Sequence, residues 1–256
     1  MNDFLLFLLV GGLAQLVDGA LGMAYGVVSS TVLLSFGVAP AAASASVHAA
    51  ELFTTAASGT AHALHRNIDW KLFWRLVPLG IVGGVAGTYV LTSFPGGIVK
   101  PYVAAYLAII GVYLMIRSFR KIPSRPVPAA VAPPLALTGG FLDAVGGGGW
   151  GPVVTTGLLG AGGAPRYVIG TVNTAEFLVT LSVSLTFLFA LLTGHWEEAG
   201  DLTEHGLAVL GLIVGGVFAA PLASFVVQRL AEATLLRLVG GLILTLAVVQ
   251  IVQLIG

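Results

Sequence analysis

Five ionisable side chains stand inside otherwise apolar sequence: Asp18, His48, Glu51, Asp143 and Glu176. Such groups cost a few kcal/mol each to place in a bilayer, so their default reading is functional. Asp18 and Asp143 each open a glycine-rich stretch. The first runs through Gly19, Gly22, Tyr25 and Gly26, the second through Gly146, Gly147, Gly148, Gly149, Trp150 and Gly151. Four successive glycines propagate a helix poorly, and backbone freed at membrane depth must line a cavity or be covered by protein. A helix restarting at Tyr25 or Trp150 presents unpaired N–H groups and the positive end of its dipole, which suits a small anion. Gly147, Gly148 and Gly149 let an oxyanion approach the backbone where no side chain intrudes. The competing reading is structural: the glycines permit close helix packing and the acids cap helix starts. Tyr25 and Trp150 flank the two breaks and either cover a cavity or fill a core.

Glu51 and Glu176 lie in long apolar segments, each three residues after a second polar group, His48 and Asn173. That spacing places each pair on one helical face. The glutamates fit proton coupling, ordering of the broken segments, or an interhelical clamp. His48 fits an anion or proton ligand. His48, Glu51, His62 and His65 together suggest a divalent-metal carrier as an alternative. His62 and His65 have Phe187 and Ala190 as repeat partners, however, and the chain has no Cys, so a symmetric metal site is disfavoured. His62 and His65 read as interfacial, and Trp70, Trp74 and Trp196 as interface anchors. A serine-protease reading of Ser58 near His62 leaves the duplication described below without a purpose.

The elements that must position these groups are membrane helices. The chain has 256 residues, 57% hydrophobic and 9% charged, with a mean hydropathy of +1.00 and formal net charge zero. A soluble domain is about 25% charged. This excludes a cytosolic globular enzyme and a nucleic-acid binder, because no basic face exists to meet phosphates. No P-loop is present, so ATP is not the direct drive, and no cofactor is called for. Met1 to Asp3 carry no basic residue, so the apolar run from Phe4 reads as a first membrane segment, not a cleavable signal. Apolar runs cover 4–17, 25–36, 41–64, 72–94 and 99–116. They resume at 131–145, 150–159, 167–192, 206–227 and 235–254.

The second half repeats the first. Asp18 falls on Asp143, an offset of 125, and the same offset pairs Gly22 with Gly147, Gly26 with Gly151, Pro40 with Pro165 and Glu51 with Glu176. Tyr25 meets Trp150 and His48 meets Asn173. Paired repeats mark secondary transporters. The loop at 65–75 holds Arg66, Lys71 and Arg75, whereas its counterpart at 194–205 holds Glu197, Glu198, Asp201 and Glu204 with no Lys or Arg. By the positive-inside rule the first faces the cytoplasm, as does the linker with Arg117, Arg120, Lys121 and Arg125. Equivalent loops on opposite sides predict an inverted repeat of about five segments per half, the opening helix of each broken at its glycines. The predicted organisation is a first repeat at 1–117, a cytoplasmic linker at 118–130 and a second repeat at 131–256. Gly83 sits in a plain packing segment, where alanine is expected to be milder than leucine at Gly148.

In the order of these features the chain resembles the sulfite exporter TauE/SafE family. The carriers are Asp18 to Gly26, then Pro40 and Glu51, repeated as Asp143 to Pro152, Pro165 and Glu176. Leu21 and Met23 stand where the second half has Gly146 and Gly148. The resemblance implies an all-α transporter of the bacterial inner membrane that crosses the bilayer many times. It also implies a small sulfur oxyanion or organosulfonate substrate: sulfite, thiosulfate or a sulfonate. The drive is a proton gradient or the substrate's own gradient, and the binding residues are expected among Asp18, Gly22, Tyr25, His48, Glu51, Asp143, Gly147, Gly148, Gly149, Trp150, Asn173 and Glu176.

Overall fold

A computed structural model describes residues 3–120, 127–196, 206–222 and 232–255, and all of their regular structure is helical. The acidic segment with Glu197, Glu198, Asp201 and Glu204 lies outside the described residues, as do Lys121 and Arg125 of the linker. In the first half α1 spans Asp3–Leu21, α2 Tyr25–Ser35, α3 Pro40–Leu64, α4 Trp70–Ser93 and α5 Gly96–Arg117. In the second half α6 spans Ala132–Gly146. A π-helical turn at Gly151–Thr155 runs into α7, Thr156–Gly160. Then come α8 Pro165–Leu192, α9 Gly206–Ala219 and α10 Glu232–Ile255. Pro40 and Pro165 sit at the first turns of α3 and α8, where a missing N–H costs nothing.

Helices α4, α5 and α8 are each long and apolar enough to cross a membrane alone. Helix α6, which opens the second half, is not. At 1.5 Å per residue its 15 residues reach about 22 Å, short of a hydrocarbon core of about 30 Å. It therefore needs the short helix that follows its break.

Helix packing follows the repeat. Helix α1 lies along α9, and α6 along α4; α3 packs on α8 and α5 on α10. Small residues line the first two contacts, which suits a bilayer, where no hydrophobic force draws helices together and close backbone approach must do so. A Cβ on Gly215 would strike the carbonyl of Leu8, and one on Gly83 the carbonyl of Leu137. The neighbour of Gly83 is rigid backbone, so alanine there must push α4 off α6.

The loop joining α3 to α4 is laid against the start of α8. The Asp69 N–H donates to Thr171 Oγ1 at 2.8 Å, and Arg166 Nε donates to Asn67 Oδ1 at 2.6 Å. Trp70 and Trp74 are exposed, as interface anchors should be, but Trp196 is buried against Phe187 at a ring separation of 5.6 Å. Trp196 belongs to the core, which corrects its reading as an interface anchor.

Candidate functional site

The two breaks are built alike. Helix α1 ends at Leu21 and the chain turns through Gly22 in the left-handed region at φ 65°. Helix α6 ends at Gly146 and turns through Gly147 at the same φ. Glycine carries that conformation without the steric penalty a side chain would bring. The acid one turn before each break then reaches across it. Asp18 Oδ1 accepts from the N–H groups of Ala24 (3.0 Å) and Tyr25 (3.3 Å). Asp143 Oδ1 accepts from Gly149 (2.7 Å) and Trp150 (3.0 Å), the same positions one repeat later. The first N–H groups of both restarting segments are thus held by the protein's own carboxylates. The next donors, on Gly26, Val27 and Gly151, precede the first complete helical turn and have no carbonyl of their own helix to meet.

The breaks cross each other. A Cβ on Gly26 would lie 2.7 Å from Gly147 O and 2.8 Å from Glu51 Oε1, and one on Gly151 would lie 2.5 Å from Met23 Cα. Thr155 Oγ1 donates to Gly22 O at 2.8 Å, tying the second break to the first. Gly148 faces the backbone of Gly26 and Val27, and Gly149 faces that of Leu142 and Asp143. These glycines therefore meet backbone where the sequence suggested an opening.

Four carboxyl groups converge on this crossing. Asp18, Glu51, Asp143 and Glu176 line one cavity of about 10 Å³ together with Gly26 and Gly148. All four side chains are buried, and Glu51 Oε2 has no hydrogen-bond partner among the described residues. His48, fully buried, bridges the repeats: its Nε2 lies 3.1 Å from Asp143 Oδ2. Its Nδ1 lies 2.8 Å from the backbone O of Ser44. A carbonyl only accepts, so Nδ1 carries a hydrogen. One further proton must then sit between Nε2 and Oδ2, on the imidazole or on the carboxyl. Candidate ligand atoms of His48, Glu51 and Asp143 all lie within 4.8 Å of one another.

The other expected residues are placed differently. Tyr25 donates its hydroxyl to Leu212 O on α9 (2.9 Å), and Trp150 donates Nε1 to Val172 O on α8 (3.1 Å); both are buried, and each pins its break to a neighbouring helix. Asn173 is buried but turns to Ser58 Oγ on α3 (3.2 Å), away from the acids. His62 bonds Asn67 (3.3 Å) in the loop region. It lies 14 residues from His48 on α3, about 21 Å along the axis, so His62 and His65 do not join the cluster. Two contributors escape a reading of the sequence. Ser44, one turn before His48, donates to Ala144 O (2.6 Å), and its spacing is a usable signal. Tyr106 on α5 donates to Gly148 O (3.3 Å) and has no polar counterpart at the repeat offset.

A sequence profile described as sulfite exporter TauE/SafE matches residues 7–250. The chain belongs to the sulfite exporter TauE/SafE family. It is similar to the probable membrane transporter protein YtnM of Bacillus subtilis (strain 168), with 43% identity over 251 residues. That alignment covers 95% of this chain and 81% of the relative. No solved structure matches. With its apolar helices, this TauE/SafE member is a multi-pass bacterial membrane protein with a transport role.

Proposed function

We propose that the protein is a secondary transporter of the cytoplasmic membrane that moves a small sulfur-containing anion, namely sulfite, thiosulfate or an organosulfonate, by alternating access. The observation that carries the reading is the crossing of the two breaks, where two sets of helix-start donors meet at one carboxyl-lined cavity. The matched packing of α1 on α9 and α6 on α4 supports two equivalent repeats, joined by a linker at 118–130, and the basic loop at 65–75 set against the acidic one at 194–205 supports their opposite sense. A cavity of about 10 Å³ admits about one water-sized probe, so a sulfur oxyanion enters only as the repeats part. Parting would bare the donors of Gly26, Val27 and Gly151.

Charge decides what travels with the anion. Fully ionised, the four carboxyl groups and an imidazolium would carry a net charge of −3 in a buried space, which an anion cannot join in low dielectric without compensation. Protons supply it: one is already shared between His48 and Asp143, and Glu51 Oε2 offers an open acceptor. The substrate therefore moves with protons, and the glutamates carry them. Glu51→Gln and Glu176→Gln are expected to insert and fold normally but to lose the acceleration of uptake at acidic pH. Uptake in proteoliposomes between about pH 5 and about pH 8 checks this, and a wild-type pH profile in both variants would make the glutamates passive clamps.

The experiment for the reading as a whole is a flux screen of sulfite, thiosulfate, sulfoacetate and taurine in proteoliposomes. Zn²⁺ belongs in the same screen, because His48, Glu51 and Asp143 lie close enough to hold a divalent cation. Zn²⁺ flux without anion flux would replace the anion reading with the metal one. The sense of the repeats is checked by single cysteines at positions 66 and 198. Labelling from opposite sides is expected; labelling from one side would make the repeat parallel.

A further inference from the structure

Among the described residues the cavity at the crossing of the breaks is lined by no Lys or Arg, so an oxyanion needs a recognition group elsewhere along its route. A cavity of about 680 Å³ lies where the first half meets the second, between the α3–α4 loop with the start of α4 and the starts of α6 and α8. It is lined by Asp69 and Arg75 from the first half, by Val127 of the linker, and by Ala132 and Ala164 from the second half, so both halves contribute walls. That volume falls within the range of small-ligand sites. Arg75 is half-buried in the second turn of α4, and its guanidinium makes no hydrogen bond or ion pair with any described residue. Asp69, the one acid on this wall among the described residues, caps α4: its Oδ1 accepts from the N–H groups of Lys71 (2.9 Å) and Leu72 (3.1 Å). The nearby Arg166 is likewise occupied by Asn67 Oδ1 and His65 O. A cavity of 260 Å³ lined by Ser93, His195 and Trp196 has no Arg or Lys among its lining residues.

We infer that the Arg75 cavity is an oxyanion-recognition station on the cytoplasmic side of the transport path, where the guanidinium fork receives the sulfite, thiosulfate or sulfonate head before the repeats part. A planar fork of donors matches two oxygens of such a head at once. The inference rests on the anion-carrier reading above. The position of Arg75 at a membrane interface raises one other source of the same chemistry, the phosphate of an anionic lipid.

The test uses the full chain in phosphatidylcholine nanodiscs and in proteoliposomes of the same lipid, with thiosulfate as the probe because it does not titrate near neutral pH. Thiosulfate is expected to raise the Tm of the wild type and not that of Arg75→Gln. In flux, Arg75→Gln is expected to raise KM about tenfold to a hundredfold when thiosulfate is presented at the face bearing Arg66, with the maximal rate nearly unchanged and KM from the other face unaffected. Arg75→Lys, keeping the charge without the fork, is expected to recover part of the loss. A monodisperse Arg75→Gln protein with wild-type thermal shift and KM overturns the inference. So does an Arg75 effect that appears only when phosphatidylglycerol is present, which makes the residue a headgroup contact. A wild type whose Tm thiosulfate does not move also overturns it. Thiosulfate binding without flux would leave the station standing and remove the transporter reading instead.

Discussion

Asp143→Asn is expected to give a folded protein that no longer transports, and Asp143→Ala a protein that does not survive purification. The carboxyl serves two structures at once. One oxygen accepts from the N–H groups of Gly149 and Trp150, which starts the second broken segment, and the other shares a proton with His48 across the repeats. Asparagine is nearly the same shape. Its oxygen keeps the two backbone bonds, and its amide donates to a neutral His48 Nε2. Every hydrogen bond survives while the shared proton is gone, so folding is expected to change by no more than about 1 kcal/mol. Alanine instead leaves two buried donors unpaired, at about 1–3 kcal/mol each, and strips His48 of its partner. Losing one member of a buried pair costs about 3–5 kcal/mol. That total rivals the whole stability of an ordinary domain, about 5–15 kcal/mol. Gel filtration, thermal unfolding and anion flux on the two variants read these outcomes separately. Full transport by Asp143→Asn would remove the His48–Asp143 proton from the cycle.

Gly148→Leu is expected to abolish folded protein altogether. On the sequence alone this substitution reads as a blocked anion approach in an otherwise sound molecule. The structure puts backbone at that spot: a Cβ at 148 would collide with the N of Val27 and with Gly26 C, while Val27 is held in the first turn of α2. Neither break can retreat, since Asp18 and Asp143 clamp both. Overpacking a core by a few methylenes already costs about 1–3 kcal/mol, and a collision with backbone costs more. The control is Gly97→Ala in the first turn of α5, where a Cβ meets nothing within 4 Å and the effect is expected to stay within about 0.5 kcal/mol. A Gly148→Leu protein that elutes and melts like Gly97→Ala would mean the breaks do not cross as described.

Much of the architecture is legible in the sequence because duplication aligns rare residues. The pairs Asp18/Asp143, Gly22/Gly147 and Pro40/Pro165 mark the same structural events twice, and the helices begin within a few residues of where the apolar runs and prolines put them. Glu51 and Glu176 read as ionisable groups in apolar helices, and both line the central cavity. Two alternatives weighed for the breaks, capping acids and close-packed glycines, describe the local geometry directly. Register within a repeat, however, says nothing about how two repeats dock. The bond from His48 to Asp143 joins residues 95 apart on helices whose relative rotation no periodicity encodes. The same blindness misplaces Asn173, which repeats His48 in sequence but faces Ser58 in space. Trp196 misleads for a third reason: tryptophan near a helix end is common at interfaces, but here the chain folds it back onto Phe187.

The most direct measurement is simultaneous: labelled thiosulfate entering proteoliposomes that hold a pH-sensitive dye, with the wild type and with Asp143→Asn. Saturable thiosulfate uptake accompanied by acidification of the lumen, both absent in Asp143→Asn, is the expected result. Thiosulfate uptake without any lumenal pH change, or a wild type that moves none of the sulfur anions screened, would contradict the reading of the crossed breaks as a proton-coupled path for a small sulfur anion.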